Sequence, residues 1–436
     1  MCFFVYRRFA ITLRKIENNI YKNNLRDVLQ NSFLTFSSFG SGRGIPYFYY
    51  FYRRFLLLMA GLYLHIPFCR TRCIYCDFYS TVGEEGQARY VEALLSEWRL
   101  RRGELPGEPV DTIYIGGGTP SQLSPRLLER LFEGLSADID MDRCREITFE
   151  ANPDDVTPAY AAVLAALPVD RVSMGVQSFS DENLRFLRRR HTAAQALDAV
   201  THLRRAGFSR ISIDLIYGLP GQTPASLIHD LQQAVALDLP HISAYNLIYE
   251  EGTPLDRMRN CGLVQECDES LSLQLFETTV DVLAAAGYEH YEISNFARPG
   301  EFARHNTAYW QGIPYLGLGP SAHSYDGVCR RSNPPDLRHY IASVEQGKTI
   351  FDTEFLDADT RYNDRVITSL RTMWGLDLDA VAADFGEERR RYCLRMARRY
   401  IENGLLDVSG GHLKLTRRGV FVSDGVMADL LFVGDE

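Results

Sequence analysis

Three closely spaced cysteines are the residues best suited to chemistry in this chain: Cys69, Cys73 and Cys76. Thiolates at C-x3-C-x2-C spacing can converge where the backbone curls, and they bind soft metals. Three thiolates are one fewer than a closed tetrahedral zinc site or a fully cysteine-ligated four-iron cluster requires. The spacing therefore favours a four-iron cluster with one open iron. The alternative is a zinc loop completed by His65 or by a distant residue.

The residues around these cysteines resemble a motif of a known protein family. His65-Ile66-Pro67-Phe68-Cys69 and the two following cysteines resemble the cluster loop of radical S-adenosylmethionine (SAM) proteins. Within these proteins, the loop is similar to that of the branch containing oxygen-independent coproporphyrinogen III oxidase and its haem-chaperone relatives. The resemblance implies a [4Fe-4S] cluster on the three cysteines, with SAM chelating the fourth iron through its amino and carboxylate groups.

The composition is that of an ordinary globular protein. The chain has 436 residues, with 46% apolar residues, 24% charged residues and a net charge of −9. This length predicts two or three domains, and the acidic balance argues against nucleic acid as a general partner. The cysteines number nine, which is odd, so we expect no disulfide framework and a reducing, cytoplasmic location. No apolar run reaches the ~18 residues that span a bilayer, so any membrane contact is expected to be peripheral.

Residues 1–58 differ from the rest of the chain. They carry nine Lys and Arg against two acids, a net charge of +7, which leaves −16 for residues 59–436. Six aromatic residues in a row occupy positions 47–52. We interpret this segment as an atypical leader, disordered or not native, with Met59 as the true start. A functional N-terminal arm, as in the oxidase branch, is the alternative.

Between residue 61 and about residue 293, short β-rich runs alternate with helical stretches. This alternation predicts a parallel sheet. Six repeats predict an α/β fold with a partial (β/α)6 barrel over residues 59–300, which the resemblance also implies. Residues 288–293 form a further candidate strand. The six predicted strands are Leu62–Ile66, Thr112–Ile115, Glu146–Glu150, Arg171–Val176, Arg210–Ile216 and Ile242–Ile248.

Glycine-rich or polar motifs follow these strands, at the sheet edge where parallel α/β folds bind ligands. The run Gly116-Gly117-Gly118-Thr119 would let the backbone approach a ligand closely, although it also suits an ordinary tight turn. Glu150 ends the third strand. A buried carboxylate there needs a donor or a cation, which the ammonium of SAM or a barrel arginine could supply.

Residues 175–179 and 214–220 resemble the G-V-Q-x-F and D-x-I-Y-G-L-P motifs of the same branch. Without the resemblance, Asp214 could instead hold the barrel rim together, and Arg189 could belong to a solvated basic turn. Tyr63 and Tyr75, which flank the cluster loop, could be packing residues. Carried over position by position, the resemblance implies cofactor contacts for Tyr63, Tyr75, Gly117, Gly118, Thr119, Glu150, Gln177, Arg189 and Asp214.

A second motif lies in the connecting segment, residues 301–334. His305-Asn306-x-x-Tyr309-Trp310 matches an H-N-x-x-Y-W motif found in the haem-chaperone relatives. Histidine is a common axial ligand of haem iron, so the resemblance implies that His305 contacts haem. A packed histidine at a domain junction is the alternative. His323 is a weaker haem candidate.

Residues 335–436 read as helices followed by a hairpin at Ser409-Gly410-Gly411, which predicts a helical, winged-helix-like domain. The arginines between residues 389 and 399 could contact DNA phosphates, but a solvated basic face is the favoured interpretation. We expect this domain to act as a docking surface or as a lid over the barrel.

The resemblance implies one of two functions. The first is a haem chaperone that binds haem and passes it to acceptor proteins, with respiratory proteins as candidates and a homodimer as a conceivable form. The second is oxygen-independent coproporphyrinogen III oxidase, a radical enzyme. The oxidase pattern adds a fourth cysteine two positions after the third, where this chain has Phe78. We therefore favour the chaperone, and a radical SAM enzyme with another substrate is the third alternative.

Overall fold

The structure is a computed structural model that describes residues 60–105 and 110–434. The predicted leader, residues 1–58, and the predicted start at Met59 lie outside these residues. Seventeen strands occur within the described part of the chain. They are β1 (Ala60–Ile66), β2 (Phe68–Cys69), β3 (Thr81–Val82), β4 (Val110–Gly117), β5 (Glu146–Ala151), β6 (Arg171–Gln177), β7 (Arg210–Tyr217), β8 (His241–Asn246), β9 (Glu289–Glu292), β10 (Asn295–Ala297), β11 (Tyr315–Leu318), β12 (His323–Tyr325), β13 (Cys329–Ser332), β14 (Asp352–Phe355), β15 (Leu376–Asp377), β16 (Leu406–Ser409) and β17 (His412–Leu415).

The same residues form fifteen α-helices. Three of them begin with a threonine cap before a proline. The side chain of Thr157, for example, accepts a hydrogen bond from the backbone N–H of Tyr160. The helices are α1 (Gln87–Arg101), α2 (Pro125–Ser136), α3 (Pro158–Ala165), α4 (Asp181–Phe186), α5 (Ala193–Arg205), α6 (Pro224–Ala236), α7 (Pro254–Asn260), α8 (Glu269–Ala285), α9 (Arg304–Trp310), α10 (Leu337–Glu345), α11 (Ala358–Leu370), α12 (Leu378–Phe385), α13 (Glu387–Glu402), α14 (Arg417–Phe421) and α15 (Ser423–Leu430).

A run of six parallel strands forms the centre of the main sheet. β1 pairs with β4, and β4 to β8 follow in chain order, each parallel to the next. This run confirms the predicted partial (β/α)6 barrel. β11 pairs with β1 in parallel and continues into antiparallel β12, β13 and β14, so residues 301–334 contribute strands to the same sheet. The candidate strand at residues 288–293 is β9, an antiparallel strand at the other edge.

Polar and apolar side chains alternate along the barrel strands. In β5, Ile147 and Phe149 belong to the apolar core that includes residues of the surrounding helices. Ala151 lies in the same core. Successive side chains of a strand point to opposite faces, so Glu146, Thr148 and Glu150 face the barrel interior. There, polar groups of neighbouring strands form hydrogen bonds; the Ser212 hydroxyl, for example, donates to the Ser173 hydroxyl at 2.9 Å. Bulky apolar side chains commonly fill such barrels, whereas this interior is lined by polar groups suited to a polar ligand.

The C-terminal region is helical and carries the predicted hairpin. Six helices of the described residues, α10 to α15, lie in this region. β16 and β17 form the hairpin, and β15 completes a three-stranded sheet in the order β15-β17-β16. Among the residues that the structure describes, every helix is too short or too polar to cross a lipid bilayer.

Candidate metal and cofactor site

The three predicted metal ligands share one loop at the carboxyl end of β1. β2 and β3 pair in parallel and close this loop at its base. Cys69, Cys73 and Cys76 are half-buried and form no disulfide. Burial raises the pKa of the Cys76 thiol to about 12, with a further contribution from neighbouring Cys73 and Cys69.

The spacing of the three cysteines allows either a [4Fe-4S] cluster or a zinc site completed by His65, and the arrangement of the side chains can be compared with both. Across residues 60–105 and 110–434, no three His, Cys, Asp or Glu side chains converge as ligands of one metal ion would. In a [4Fe-4S] cluster each thiolate binds a different iron, so convergence on one point is not required. His65 is already engaged: its Nδ1 lies 2.9 Å from the Tyr63 hydroxyl and its Nε2 lies 2.9 Å from the Tyr79 carbonyl oxygen. The residues present fit a three-cysteine cluster better than a zinc loop completed by His65.

Arg189 reaches into the site instead of lying in a solvated turn. Its Nη1 donates to Cys73 Sγ at 3.3 Å, and its Nη2 donates to Asn152 Oδ1 at 2.7 Å and to the Gly175 carbonyl at 2.6 Å. Its buried Nε has no hydrogen-bond partner among the residues that the structure describes. This geometry contradicts the alternative of a solvated Arg189, because the side chain joins the cluster loop to β5 and β6.

The glycine-rich loop after β4 packs directly on the start of the cluster loop. Gly117 adopts a φ of +110°, which favours glycine. A Cβ added at Gly118 would lie 2.8 Å from the carbonyl oxygen of Ile66, which also accepts the Gly118 N–H at 2.8 Å. Thr119 Oγ1 lies 3.4 Å from Cys69 Sγ. The glycine-rich loop therefore lies against the cluster loop and contacts Cys69 through Thr119.

The carboxylate of Glu150 is held by uncharged donors inside the barrel. The Tyr114 hydroxyl donates to its Oε1 at 2.6 Å, and the Gly117 N–H donates to its Oε2 at 3.1 Å. Burial raises the pKa of Glu150, and these two hydrogen bonds oppose that shift by favouring the charged form. A cationic ligand would therefore find a carboxylate that is oriented but not neutralised by an arginine.

Two further predicted residues lie on neighbouring strands: Gln177 ends β6, and Asp214 lies three residues before the end of β7. Gln177 is buried with a φ of +69°, a conformation that non-glycine residues rarely adopt and that occurs often at functional sites. Asp214 is half-buried; burial raises its pKa to about 7, while a hydrogen bond from Ser243 lowers it. Both residues reach the same sheet edge as Glu150.

The two predicted tyrosines flank the cluster loop. Tyr63 points its ring toward Tyr114, with ring centroids 6.2 Å apart. The Tyr79 carbonyl can only accept, so Nε2 of neutral His65 carries the hydrogen and its Nδ1 accepts from the Tyr63 hydroxyl. Tyr75 is half-buried beside Cys73, and burial raises its pKa well above the usual value.

His305 lies inside the fold. Its Nδ1 is 2.8 Å from Thr112 Oγ1 and its Nε2 is 2.9 Å from the Tyr309 hydroxyl. Burial lowers its pKa to about 4, so the ring is neutral at neutral pH. Both ring nitrogens are engaged in this geometry, and the predicted haem contact of His305 stays a prediction. His323, the weaker candidate, is half-buried, and burial lowers its pKa to about 4.

Comparison with known proteins places this arrangement in a family. The radical SAM superfamily matches residues 63–234, and the HemN C-terminal domain matches residues 356–422. Heme chaperone HemW of Mycobacterium tuberculosis (strain H37Rv) is 37% identical over 377 residues, covering 85% of this chain and 94% of the relative. Heme chaperone HemW of Bacillus subtilis is 32% identical and covers 86% of this chain and 99% of the relative. The chain belongs to the HemW family of radical SAM proteins.

A solved structure supports the same assignment. The radical SAM enzyme coproporphyrinogen III oxidase (HemN) from Escherichia coli superposes with a TM-score of 0.74 at 26% identity. The match covers 87% of this chain and 93% of that chain. HemN-like architecture therefore extends through both the barrel and the C-terminal region of this HemW-family chain.

Some residues of the site were not predicted from the sequence. Tyr114 and Asn152 hold Glu150 and Arg189, respectively, and Thr112 contacts His305. Thr112 and Tyr114 occupy alternate positions of β4, and the apolar core residues Ile113 and Ile115 follow each of them in turn. Polar and apolar residues alternate along the strands of this HemW-family barrel, and this alternation could have predicted that Thr112 and Tyr114 face its interior.

Proposed function

We propose that this chain is a haem chaperone that holds a [4Fe-4S] cluster on Cys69, Cys73 and Cys76, with SAM on the fourth iron, and passes haem to acceptor proteins. The observation that carries the proposal is the similarity to proteins named heme chaperone HemW. The alignment with the M. tuberculosis relative covers 94% of that protein's length at 37% identity. The cluster and SAM, when bound, supply one-electron chemistry. The protein supplies ligands, orientation and a polar interior.

For SAM, we propose contacts drawn from the strand ends. Glu150 would accept hydrogen bonds from the ammonium group, because its carboxylate is buried and oriented by uncharged donors. Gly117 and Gly118 would admit the methionine part close to the backbone. Asp214 and Gln177 would contact polar groups farther along the ligand. Arg189 would stabilise the negative charge of the cluster through Cys73.

For haem, we propose binding that involves His305 or His323, the two histidines that the sequence singles out. We place the protein in the reducing cytoplasm, because the cluster requires free thiolates. Its partners would be haem-accepting proteins, with only peripheral membrane contact. We also propose that it can form a homodimer, which sedimentation analysis would test.

Coproporphyrinogen oxidation is the second candidate, favoured by the structural similarity to HemN. Phe78 argues against it, because it occupies the position of the fourth cysteine in the oxidase pattern. Phe78 is half-buried, and its carbonyl oxygen accepts a hydrogen bond from Arg72 at 3.2 Å. A side chain without a thiol cannot take the role that the oxidase branch gives to that cysteine.

The experiment that separates the two candidates starts from anaerobic reconstitution of the cluster. One half of the sample is assayed for coproporphyrinogen III decarboxylation, and the other half is titrated with haem. We expect stoichiometric haem binding without decarboxylation. Turnover of coproporphyrinogen, or haem binding no tighter than to an unrelated protein of similar charge, would contradict the proposal. Titrating the His305→Ala and His323→Ala variants locates the contact.

A further inference from the structure

Helix α9, which carries the H-N-x-x-Y-W motif, closes the amino-terminal end of the barrel. The backbone N–H groups of Arg304 and His305 each donate at 3.0 Å to the carboxylate of Glu146, which lies fully buried at the start of β5. The His305 ring contacts Thr112 near the start of β4. A Cβ added at Gly61 would lie only 3.2 Å from His305 Cε1, so the ring fills the interior against β1. The motif thus lies opposite the cluster loop, beneath the predicted SAM site.

A column of three aromatic rings connects this end to the SAM site. His305 stacks on Tyr114, with centroids 5.2 Å apart and planes 29° apart, and Tyr114 lies 6.2 Å from Tyr63. We call these three side chains the aromatic column. The hydroxyl of the middle ring, Tyr114, donates to Glu150 at 2.6 Å. The imidazole is therefore one ring away from the carboxylate that is predicted to receive the ammonium of SAM.

We propose that His305 is a positioning residue of the SAM site, which supports Tyr114 so that Tyr114 can hold Glu150 toward the ammonium group of SAM. The proposal rests on the SAM binding included in the proposed function. It gives His305 a role at the SAM site that is separate from the haem contact proposed above.

Two physical arguments support this role. Burial disfavours the charged form of Glu150, and the hydrogen bond from Tyr114 opposes that effect. Truncation of His305 would leave a cavity under Tyr114, which would loosen this hydrogen bond. Conversely, ligation of haem by His305 would require its ring to leave Thr112 and Tyr309. Any accompanying departure of α9 would leave a buried carboxylate with fewer donors, which is costly.

The test measures SAM affinity of the anaerobically reconstituted full chain by equilibrium binding, with iron content as the loading control. The variants are Tyr114→Phe, which removes one hydroxyl, His305→Ala, and His305→Gln, which keeps a donor and an acceptor. Tyr288→Phe and His241→Ala serve as matched controls. Each removes a buried hydrogen bond outside the aromatic column, to the Leu239 carbonyl and to the Tyr291 hydroxyl, respectively.

We expect the Kd for SAM to rise about tenfold or more in Tyr114→Phe and His305→Ala, as expected for a lost hydrogen bond to a charged group. His305→Gln should recover part of this loss, and the two controls should bind SAM as the wild type does. The defect of Tyr114→Phe should shrink as pH rises, because the loss of its hydrogen bond raises the pKa of Glu150. A general loss of stability would not produce this pH profile.

The outcomes separate the inference from the proposed function. If His305→Ala binds SAM with the wild-type Kd and loses haem, His305 is a haem contact and the inference is wrong. If His305→Ala cannot be loaded with iron, the pH profile of Tyr114→Phe decides, and a wild-type profile refutes the inference. A wild-type protein that holds its cluster but binds no SAM would overturn the SAM part of the proposed function and this inference together.

Discussion

Arg189 donates a hydrogen bond from its Nη1 to the Sγ of Cys73 across 3.3 Å, while its Nη2 is held by Asn152 and by the Gly175 carbonyl. These fixed acceptors orient the guanidinium toward the thiol. A positive charge at this position would stabilise added negative charge on a cluster bound to Cys73. Hydrogen bonds to sulfur and local charge are among the factors that set cluster potentials.

Replacing Arg189 with Gln is therefore expected to lower the reduction potential of the reconstituted cluster. The variant loses the charge next to Cys73, so electron addition becomes less favourable, by on the order of tens of millivolts. A spectroscopic redox titration measures the shift. Arg188→Gln is the matched control, because Arg188 precedes Arg189 and is exposed. Equal potentials in both variants would show that Arg189 does not tune the cluster.

Substitution of any one of Cys69, Cys73 and Cys76 with Ala is expected to abolish the [4Fe-4S] absorbance and to leave far less than four irons per chain after reconstitution. Three thiolates are the minimum that such a cluster can use when SAM occupies the fourth iron, so the loss of one leaves two open irons. Cys144→Ala is the control, since Cys144 is also a half-buried free thiol. Stoichiometric iron in the three variants would refute the ligand assignment.

The sequence predicts some features of this site better than others, for physical reasons. The parallel strands and the cluster loop are local patterns, so alternation and spacing were sufficient to place them. The contacts of His305 were not predictable, because Thr112 lies 193 residues away along the chain and α9 reaches it only in the folded barrel. Arg189 was ambiguous for a related reason: a run of arginines usually faces solvent, and only the fold directs one of them inward.

Gly118→Ala is expected to destabilise the protein and weaken SAM binding. The added Cβ would lie 2.8 Å from the Ile66 carbonyl oxygen and 2.9 Å from that of Phe68. Both neighbours are backbone atoms that cannot move aside easily, so we expect a loss of about 1–3 kcal/mol in the free energy of unfolding. Urea denaturation measures this value. In Gly425→Ala the new Cβ meets no atom within 4 Å, so this control should unfold at wild-type urea concentrations or above.

Asp214 is expected to make stability fall as pH rises. Burial raises its pKa from 3.8 to about 7, so between these values the folded protein keeps a proton that the unfolded chain releases. The free energy of unfolding therefore decreases from pH 4 to pH 7, by up to on the order of 4 kcal/mol from this group. Asp214→Asn should remove this decrease, and the stability difference between variant and wild type should level off above pH 7.

The measurement is urea unfolding at several pH values without SAM, compared between wild type and Asp214→Asn so that other titrating groups cancel. Ser243→Ala provides a second test, because the Ser243 hydrogen bond lowers the pKa of Asp214. Its loss should extend the pH-dependent decrease to higher pH. Parallel pH profiles for wild type and Asp214→Asn would contradict the raised pKa.

Arg101 and Glu97 form a buried ion pair that joins α1 to the strands beyond the barrel. Arg101 Nη1 donates to Glu97 Oε1 at 2.9 Å, with side-chain exposures of 1% and 2%. It also donates to the Gly317 carbonyl at 3.2 Å, and Glu97 accepts from the Tyr340 hydroxyl at 2.7 Å. The pair therefore connects the segment after the cluster loop with β11 and α10.

Arg101→Met is expected to reduce the free energy of unfolding by about 3–5 kcal/mol, because it leaves the buried Glu97 carboxylate without its cation. The double variant Arg101→Met, Glu97→Gln should lose less than the sum of the two single variants, since the unpaired charge is then gone. Glu92→Gln is the control: its pair with Arg130 is 52% and 41% exposed, and such pairs contribute at most about 1 kcal/mol. Chemical denaturation of all four variants measures these values. Additive losses in the double variant would mean that the charges stabilise the fold independently and not as a pair.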